Sequence, residues 1–163
     1  MKLFYTPNSP YARIARVTAL ELGLCDRIAM QKVTVRDPNS ELLNYNPTGK
    51  VPTLATDDGF ILSDTRIICV YLNQFNPEIK LVADISDGFL QQLEGIVSGF
   101  IDGIAVWVRE LRRSPSEQSP GIIELERSRA LRILDYFEKI SDQLDQTPKL
   151  AHITLASALG FGN

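Results

Sequence analysis

The stretch that decides the fold of this 163-residue chain is Asn46–Leu72, NPTGKVPTLATDDGFILSDTRIICVYL. Within it, Val51–Ala55 is apolar enough to form a short strand, Asp57–Gly59 forms a tight turn, and Phe60–Leu62 forms a second strand. An Asp-Gly pair between two apolar runs is a strong signal of a β-hairpin. The sequence therefore predicts two paired strands at the centre of the first half of the chain.

A helix is predicted directly after this hairpin, because Ser63 or Asp64 can cap its first turn. Its apolar face has near-helical spacing and consists of Ile67, Ile68, Tyr71, Leu72 and Phe75. Pro52 stands at the start of the first hairpin strand, and its missing N–H suits an edge or an entry point.

The residues before the hairpin add a strand, a helix and a second strand. Lys2–Tyr5 is predicted as a strand, Tyr11–Leu22 as a helix closed by Gly23, and Ile28–Val35 as the next strand. A short helix is expected around Glu41–Asn44. The order βαβ followed by ββα predicts a small mixed sheet with helices packed on it.

The second half of the chain reads as helical. Asn76-Pro77 ends the preceding helix, and a helical pattern then runs from Ile85 to Arg113. Glycines recur in it at every fourth position, at residues 95, 99 and 103, which predicts a close helix approach or a kink. Pro120 starts another helix that is expected to reach about Gln146, and residues 151–160 form a last apolar helix.

The composition excludes several classes of function. The net charge of −3 argues against a nucleic-acid surface, which needs clustered Lys and Arg. Two cysteines and one histidine are too few for a disulfide framework or a metal cluster, so we expect no metal. The N-terminus lacks the pattern of a signal peptide, and no apolar run approaches the roughly 20 residues that cross a bilayer. We therefore expect a cytoplasmic protein without a membrane partner.

Three stretches resemble the glutathione S-transferase family: NPTGKVPTL, the hairpin followed by LSDTRII, and the opening MKLFYTPNSPYARIARVTALELGL. The resemblance implies an α/β thioredoxin-like domain at residues 1–76, a linker at 77–84 and an all-α domain at 85–163. Family members continue with further helices beyond the position matching Asn163, so the helical domain is expected to be incomplete relative to the family. Glutathione is then the expected co-substrate, and detoxification of a hydrophobic electrophile the expected role.

The resemblance assigns the activation of the glutathione thiol to Ser9, within Ser9-Pro10-Tyr11. A free thiol has a pKa near 8.5, and a hydroxyl donor beside a helix N-terminus stabilises the thiolate. The alternative is that Ser9 only caps the first helix, with Pro10 in its first turn. Tyr5 is the rival donor, because some classes of the family use a tyrosine near the end of the first strand.

The remaining binding residues are also implied by the resemblance. Pro52 is expected to be cis, and the backbone of Val51 to pair with the peptide part of glutathione. Asp64 and Thr65 are expected to hold the ammonium and carboxylate of the γ-glutamyl group, and Lys50 to meet the glycine carboxylate. A strand start, an ordinary helix cap and a solvated lysine are the structural alternatives for these positions.

One further departure from the family pattern and two alternative functions remain. A Ser/Thr-x-x-Asp capping box precedes the last helix in the family, but Lys149 and His152 stand here, so we expect the box to be missing. The same scaffold also serves non-catalytic binding or regulatory proteins, such as the stringent starvation proteins, and glutathione-dependent reductases or isomerases. The resemblance further implies a homodimer in which the helix Asp64–Phe75 of one subunit faces the helix Ile85–Arg113 of the other.

Overall fold

The structure is a computed structural model and describes residues 1–144 and 147–161. The chain divides into two compact units, Met1–Val82 and Ala83–Asn163. The first unit combines a sheet with helices, and the described part of the second contains helices.

The sheet of the first unit has four strands, and two α-helices follow the first and last of them. The order along the sheet is β2-β1-β3-β4, with β1 parallel to β2 and antiparallel to β3, and β3 antiparallel to β4. The elements are β1 (Lys2–Tyr5), α1 (Pro10–Glu21), β2 (Ala29–Lys32), β3 (Thr53–Ala55), β4 (Ile61–Ser63) and α2 (Thr65–Asn73). The predicted thioredoxin-like α/β fold is confirmed.

Buried side chains of the first unit lie on both faces of its central strands, because the neighbours Leu3 and Phe4 of β1 point to opposite faces of the sheet. Leu3 and Phe4 of β1 and Leu54 of β3 are fully buried. Between the helices, Thr18 Oγ1 and Cys69 Sγ lie 3.3 Å apart in a buried hydrogen bond. Burial of these aliphatic and aromatic side chains is the main stabilising term, at about 25 cal/mol per Å² of apolar surface removed from water.

Two predictions for this unit were wrong in detail. The second strand ends at Lys32 instead of Val35, because the ladder to β1 ends where Val33 N donates to Tyr5 O at 2.9 Å. Ile67 was placed on the buried face of α2 but is 54% exposed. The buried face of α2 consists of Ile68, Cys69 and Leu72, and Ile67 lies about 100° around the helix from Ile68.

Residues 77–82 pack with the first unit. The side chain of Asn73, at the end of α2, accepts hydrogen bonds from Leu81 N at 3.0 Å and Val82 N at 2.9 Å. Its amide nitrogen donates to Ile79 O at 2.7 Å. One asparagine therefore satisfies three backbone groups of a segment without regular secondary structure.

The second unit contains α3 (Gly88–Leu111), α4 (Pro120–Lys139) and α5 (Leu150–Leu159). α3 packs against both α4 and α5. α4 ends seven residues earlier than predicted and is followed by a 3₁₀ turn at Ser141–Gln143; Gln146 lies outside the described residues. The core of this unit is a cluster of Leu93, Val97, Phe137 and Ala151.

A close helix approach is confirmed at Gly103, one of the three spaced glycines. A Cβ atom at this position would lie 2.6 Å from Glu126 Oε2, too close for any real contact. Glu126 is buried and accepts hydrogen bonds from Arg129 Nη1 at 2.6 and 2.8 Å. Gly103 thus makes room on α3 for a charged pair of α4. Among the described residues, and apart from the backbone of α3 itself, no atom lies within 4 Å of a Cβ built at Gly95 or Gly99.

The prediction that α5 lacks its capping box was wrong in part. His152 Nδ1 accepts a hydrogen bond from Lys149 N at 3.1 Å, so the imidazole does what the family's carboxylate does. The ammonium of Lys149 has no lone pair and cannot accept the reciprocal bond. Because Nδ1 accepts, the neutral ring carries its proton on Nε2, which is buried without a partner in the described residues.

No helix in the described part of the chain is long and apolar enough to cross a membrane. The same residues contain no group of three or more His, Cys, Asp or Glu side chains placed to hold a metal ion.

The cap on α5 is tested by comparing His152→Ala with His152→Asp. We expect His152→Ala to lower the free energy of unfolding by about 1 kcal/mol, the usual effect of losing a side-chain cap. His152→Asp keeps an acceptor for Lys149 N and places a negative charge at the helix N-terminus, so it should lose less. Urea unfolding followed by circular dichroism measures both, and equal losses would show that the hydrogen bond contributes nothing.

Candidate functional site

The register of the sheet brings the predicted site residues to the same end of the strands. Thr53, the first residue of β3, pairs with Phe4 near the end of β1 and with Ser63 at the end of β4. Residues that follow β1, precede β3 and follow β4 therefore emerge at the same end of the sheet. These are the segments that hold Ser9, Lys50–Pro52 and Asp64–Thr65. The loop ends of a sheet, where backbone groups are free of the ladder, are a common place for ligands.

Ser9 is the N-cap residue of α1 and is half-buried. Its Oγ accepts a hydrogen bond from Ala12 N at 3.1 Å, and Pro10 occupies the first helical position. A hydroxyl has one hydrogen to donate and two lone pairs to accept with. The cap occupies one lone pair, and no acceptor for the hydrogen is found in the described residues. Capping and donation to a ligand are therefore compatible at this position.

Tyr5, the rival donor, lies at the end of β1 and is half-buried. The guanidinium carbon of Arg16 lies 4.5 Å from the centroid of its ring, within the range of a cation–π contact. Arg16 is seven residues beyond Ser9, about two turns into α1. The ring of Tyr5 thus packs beside the body of α1, while Ser9 lies at the helix end.

The segment Lys50–Pro52 is held from one side by a buried polar cluster. The Val51–Pro52 peptide bond is cis, which confirms the prediction. Lys50 is exposed, and Val51 is half-buried and makes no hydrogen bond in the described residues. Asn46 Nδ2 donates to Lys50 O at 3.4 Å, and Thr53 Oγ1 donates to the same oxygen at 2.8 Å.

Asn46 and Thr53 are the residues that the sequence analysis missed. Both lie inside the quoted motif, Asn46 at its first position and Thr53 directly after Pro52. An asparagine before a proline has an ordinary interpretation as a turn residue, which conceals its role. Burial is the signal that separates the two interpretations, since Asn46 is 3% exposed and Thr53 is fully buried.

Asp64 has a strained backbone at the start of α2. Its φ of 73° with ψ of 133° makes it the only non-glycine residue with positive φ in the described part of the chain. Such conformations cost on the order of 1–3 kcal/mol and cluster at ligand-binding sites. The exposed side chain caps α2, with Oδ1 accepting from Arg66 N at 3.0 Å. The half-buried Thr65 follows at the first helical position, where the backbone N–H has no partner within the helix.

Comparisons with known proteins bear on the family and the fold. Residues 8–74 match the family model described as "Glutathione S-transferase, N-terminal domain". A curated relative, the "Uncharacterized GST-like protein YibF" of Escherichia coli (strain K12), is 29% identical over 170 residues, covering 100% of this chain and 82% of the relative. The matched residues include all three segments of the candidate site.

Solved structures agree over nearly the whole chain. A glutathione S-transferase from Methylobacillus flagellatus KT with GSH bound is 30% identical, with a TM-score of 0.86, covering 98% of this chain and 81% of that one. A glutathione transferase family member from Pseudomonas fluorescens Pf-5 with bound glutathione is also 30% identical, with a TM-score of 0.85 and the same coverage. Gtt2 from Saccharomyces cerevisiae, at 20% identity and a TM-score of 0.82, shares the fold. By both sequence and structure, this chain belongs to the glutathione S-transferase family.

Proposed function

We propose that this protein is a glutathione transferase. It binds glutathione at the end of the first unit's sheet where Ser9, Lys50–Pro52 and Asp64–Thr65 lie, and it activates the thiol for attack on a hydrophobic electrophile. The observation that carries the proposal is the hydrogen bonding of the Ser9 hydroxyl. Its Oγ is fixed by the hydrogen bond from Ala12 N, while its own hydrogen has no acceptor in the described residues. A hydroxyl held in this way is a preorganised donor for a thiolate.

The chemistry needs the thiolate form of glutathione. A free thiol with a pKa near 8.5 is only a few per cent ionised at pH 7. Each unit by which the pKa falls requires about 1.4 kcal/mol of preferential stabilisation of the anion. The Ser9 hydroxyl and the free N–H groups at the start of α1 both act in this direction, since each presents a positive dipole end.

The rest of glutathione would be held by backbone groups and by charge. The Val51 backbone is available to pair with the central peptide unit, and the Thr65 hydroxyl and N–H can take the γ-glutamyl carboxylate. Asp64 supplies a negative charge for the γ-glutamyl ammonium, and the exposed Lys50 a positive charge for the glycine carboxylate. Pro52 belongs to the same segment, as the second residue of its cis peptide bond. Relatives that carry bound glutathione at 30% identity support this assignment.

Ser9→Ala is the test of thiol activation. We expect turnover with a chromogenic aromatic halide to fall by about 10²-fold, the low end for removal of one oxyanion donor. The donor lowers the pKa of the bound thiol, so its removal should move the rising limb of the pH–rate profile to higher pH by about one unit. The affinity for glutathione, measured by titration calorimetry, should change little.

Two control variants separate this role from capping and from Tyr5. Ser119 caps α4, where its Oγ accepts from Ile122 N at 3.5 Å, so Ser119→Ala loses a cap without losing a thiol donor. Tyr5→Phe removes the rival hydroxyl. Full activity in Ser9→Ala together with loss in Tyr5→Phe would assign activation to the tyrosine. A parent protein that binds glutathione but turns over neither halide nor peroxide would be a binding module of this fold.

The strain at Asp64 gives a second test. Asp64→Gly removes about 1–3 kcal/mol of backbone strain and loses only a few tenths from the cap, so the free energy of unfolding should rise by about 1 kcal/mol. Asp64→Ala keeps the strain and loses the cap, so it should fall by about 1 kcal/mol. Asp64→Asn retains an acceptor for the cap and tolerates positive φ, so a change in its affinity for glutathione reports the loss of the negative charge alone. All three should bind glutathione more weakly in calorimetry, and parent-like binding by Asp64→Asn would argue against an ammonium site.

We also propose a homodimer in which α2 of one subunit faces α3 of the other. The support is a set of exposed apolar side chains at β4 and on α2, defined here as the dimer patch: Phe60, Ile61, Ile67 and Val70, which are 65%, 40%, 54% and 37% exposed. A patch of this kind on a soluble protein commonly marks an interface.

The dimer is tested by light scattering at micromolar concentration. We expect twice the chain mass of 18.2 kDa for the parent and a single chain mass for Ile67→Lys, because a buried interfacial ammonium without a partner is strongly unfavourable. Leu20→Lys is the matched control, since Leu20 is 61% exposed on α1, outside the dimer patch, and its substitution should leave the dimer intact. A monomeric parent would exclude the proposal.

A further inference from the structure

The buried cluster beside Lys50–Pro52 uses the whole hydrogen-bonding capacity of one side chain. The carboxamide of Asn46 has two donor hydrogens and an oxygen with two lone pairs. Its oxygen accepts from Thr48 N at 3.0 Å and from Thr48 Oγ1 at 2.9 Å. Its nitrogen donates to Thr53 Oγ1 at 2.8 Å and to Lys50 O at 3.4 Å. A fully satisfied buried amide of this kind fixes the groups around it in one arrangement.

Two of these bonds converge on the carbonyl oxygen of Lys50. Thr53 Oγ1 accepts a hydrogen bond from Asn46 Nδ2 and donates one to Lys50 O at 2.8 Å. Asn46 and Thr53 thus form a chain of donors that ends on one backbone oxygen. The oxygen is held toward the buried side of the segment, where both partners lie.

The orientation of that oxygen determines the orientation of the next N–H. The Lys50–Val51 peptide is trans, since the cis bond of this segment is the one after it. In a trans peptide the C=O and the N–H are coplanar and point in opposite directions. Because Lys50 O points at the buried cluster, Val51 N–H points away from it. This N–H has no hydrogen-bond partner in the described residues, so it is available to a ligand.

We propose that Asn46 and Thr53 are positioning residues for glutathione binding: through Lys50 O they hold the Lys50–Val51 peptide so that Val51 N–H is presented to the central peptide carbonyl of glutathione. The inference rests on the proposed function, since it names what sets the geometry of that site. Neither side chain touches the reacting thiol, so the role is in ground-state affinity and not in thiol ionisation.

Thr53→Val and Thr53→Ser form the matched pair that tests this. Valine has nearly the shape of threonine but no hydroxyl, so it breaks the donor chain to Lys50 O. Serine keeps the hydroxyl. We expect Thr53→Val to raise the Kd for glutathione by about three- to tenfold, the effect of one hydrogen bond, and Thr53→Ser to stay near the parent. Asn46→Ala, which removes the whole carboxamide, should raise it by more.

A purely structural role would produce a different result, and Thr18→Val controls for it. Thr18 is also fully buried and hydrogen-bonded, to Cys69 Sγ at 3.3 Å, but lies within α1. Its loss should lower stability without changing the Kd. In Thr53→Val, turnover at saturating glutathione and its pH profile should remain those of the parent, because Ser9 is unchanged. Addition of glutathione to ¹⁵N-labelled parent should shift the Val51 amide resonance strongly, and less so in Thr53→Val.

The outcomes separate this inference from the proposed function. A parent that shows no calorimetric binding of glutathione overturns both. A parent that binds, with Thr53→Val equal to it in Kd and in the shift of the Val51 amide, overturns the positioning role and leaves the proposed function intact. A Kd raised in Thr53→Val and restored in Thr53→Ser supports the positioning role.

Discussion

The pairing of Thr53 with strands on both sides is the constraint on which the candidate site depends. Phe4 and Ser63 flank Thr53 in the sheet, so three segments distant in sequence leave the sheet at the same end of the strands. A slip of one residue in either pairing would turn the side chains of β3 to the opposite face. Thr53 would then leave the cluster with Asn46, and the hold on Lys50 O would be lost. The strand register therefore determines the geometry of the candidate site.

In the proposed mechanism, one atom of Ser9 has both a structural role and a chemical role. A helix cap uses a lone pair of the hydroxyl, whereas thiolate stabilisation uses its hydrogen. The hydrogen bond from Ala12 N restricts rotation of the side chain and so prepares the donor before a ligand arrives. Asp64 combines roles in a similar way, since the carboxylate that caps α2 also places a charge at the edge of the sheet. In both cases the cap helps to orient the functional group.

Local signals predicted the order of strands and helices, the family resemblance supplied the thioredoxin-like fold, and the details that failed were those set by tertiary packing. The Asp-Gly turn, the apolar runs and the helix caps are all encoded within a few residues, so the order of strands and helices followed from them. Ile67 was misplaced because a helix rich in apolar residues has more than one candidate face, and only the packed partner selects the buried one. The histidine cap of α5 was missed because the pattern of the capping box names carboxylates and amides, while the hydrogen bond needs only a correctly placed lone pair. Within the site, the positions of Ser9 and Val51 came from the motif, but the Asn46–Thr53–Lys50 cluster depends on burial, which the sequence does not display.

Gly103 and Glu126 illustrate how one close contact couples the substitutions that two positions can accept. The carboxylate of α4 occupies the volume that a side chain on α3 would need, and Arg129 keeps it there. A larger residue at 103 is acceptable only after the glutamate has shortened or turned away, and a lost glutamate leaves a gap that a larger residue at 103 can fill. Change at either position alone is thus disfavoured, while the paired change is allowed. Relatives of this chain should therefore vary at these two positions together, so that the helix contact can be traced from sequences in which no structure is known.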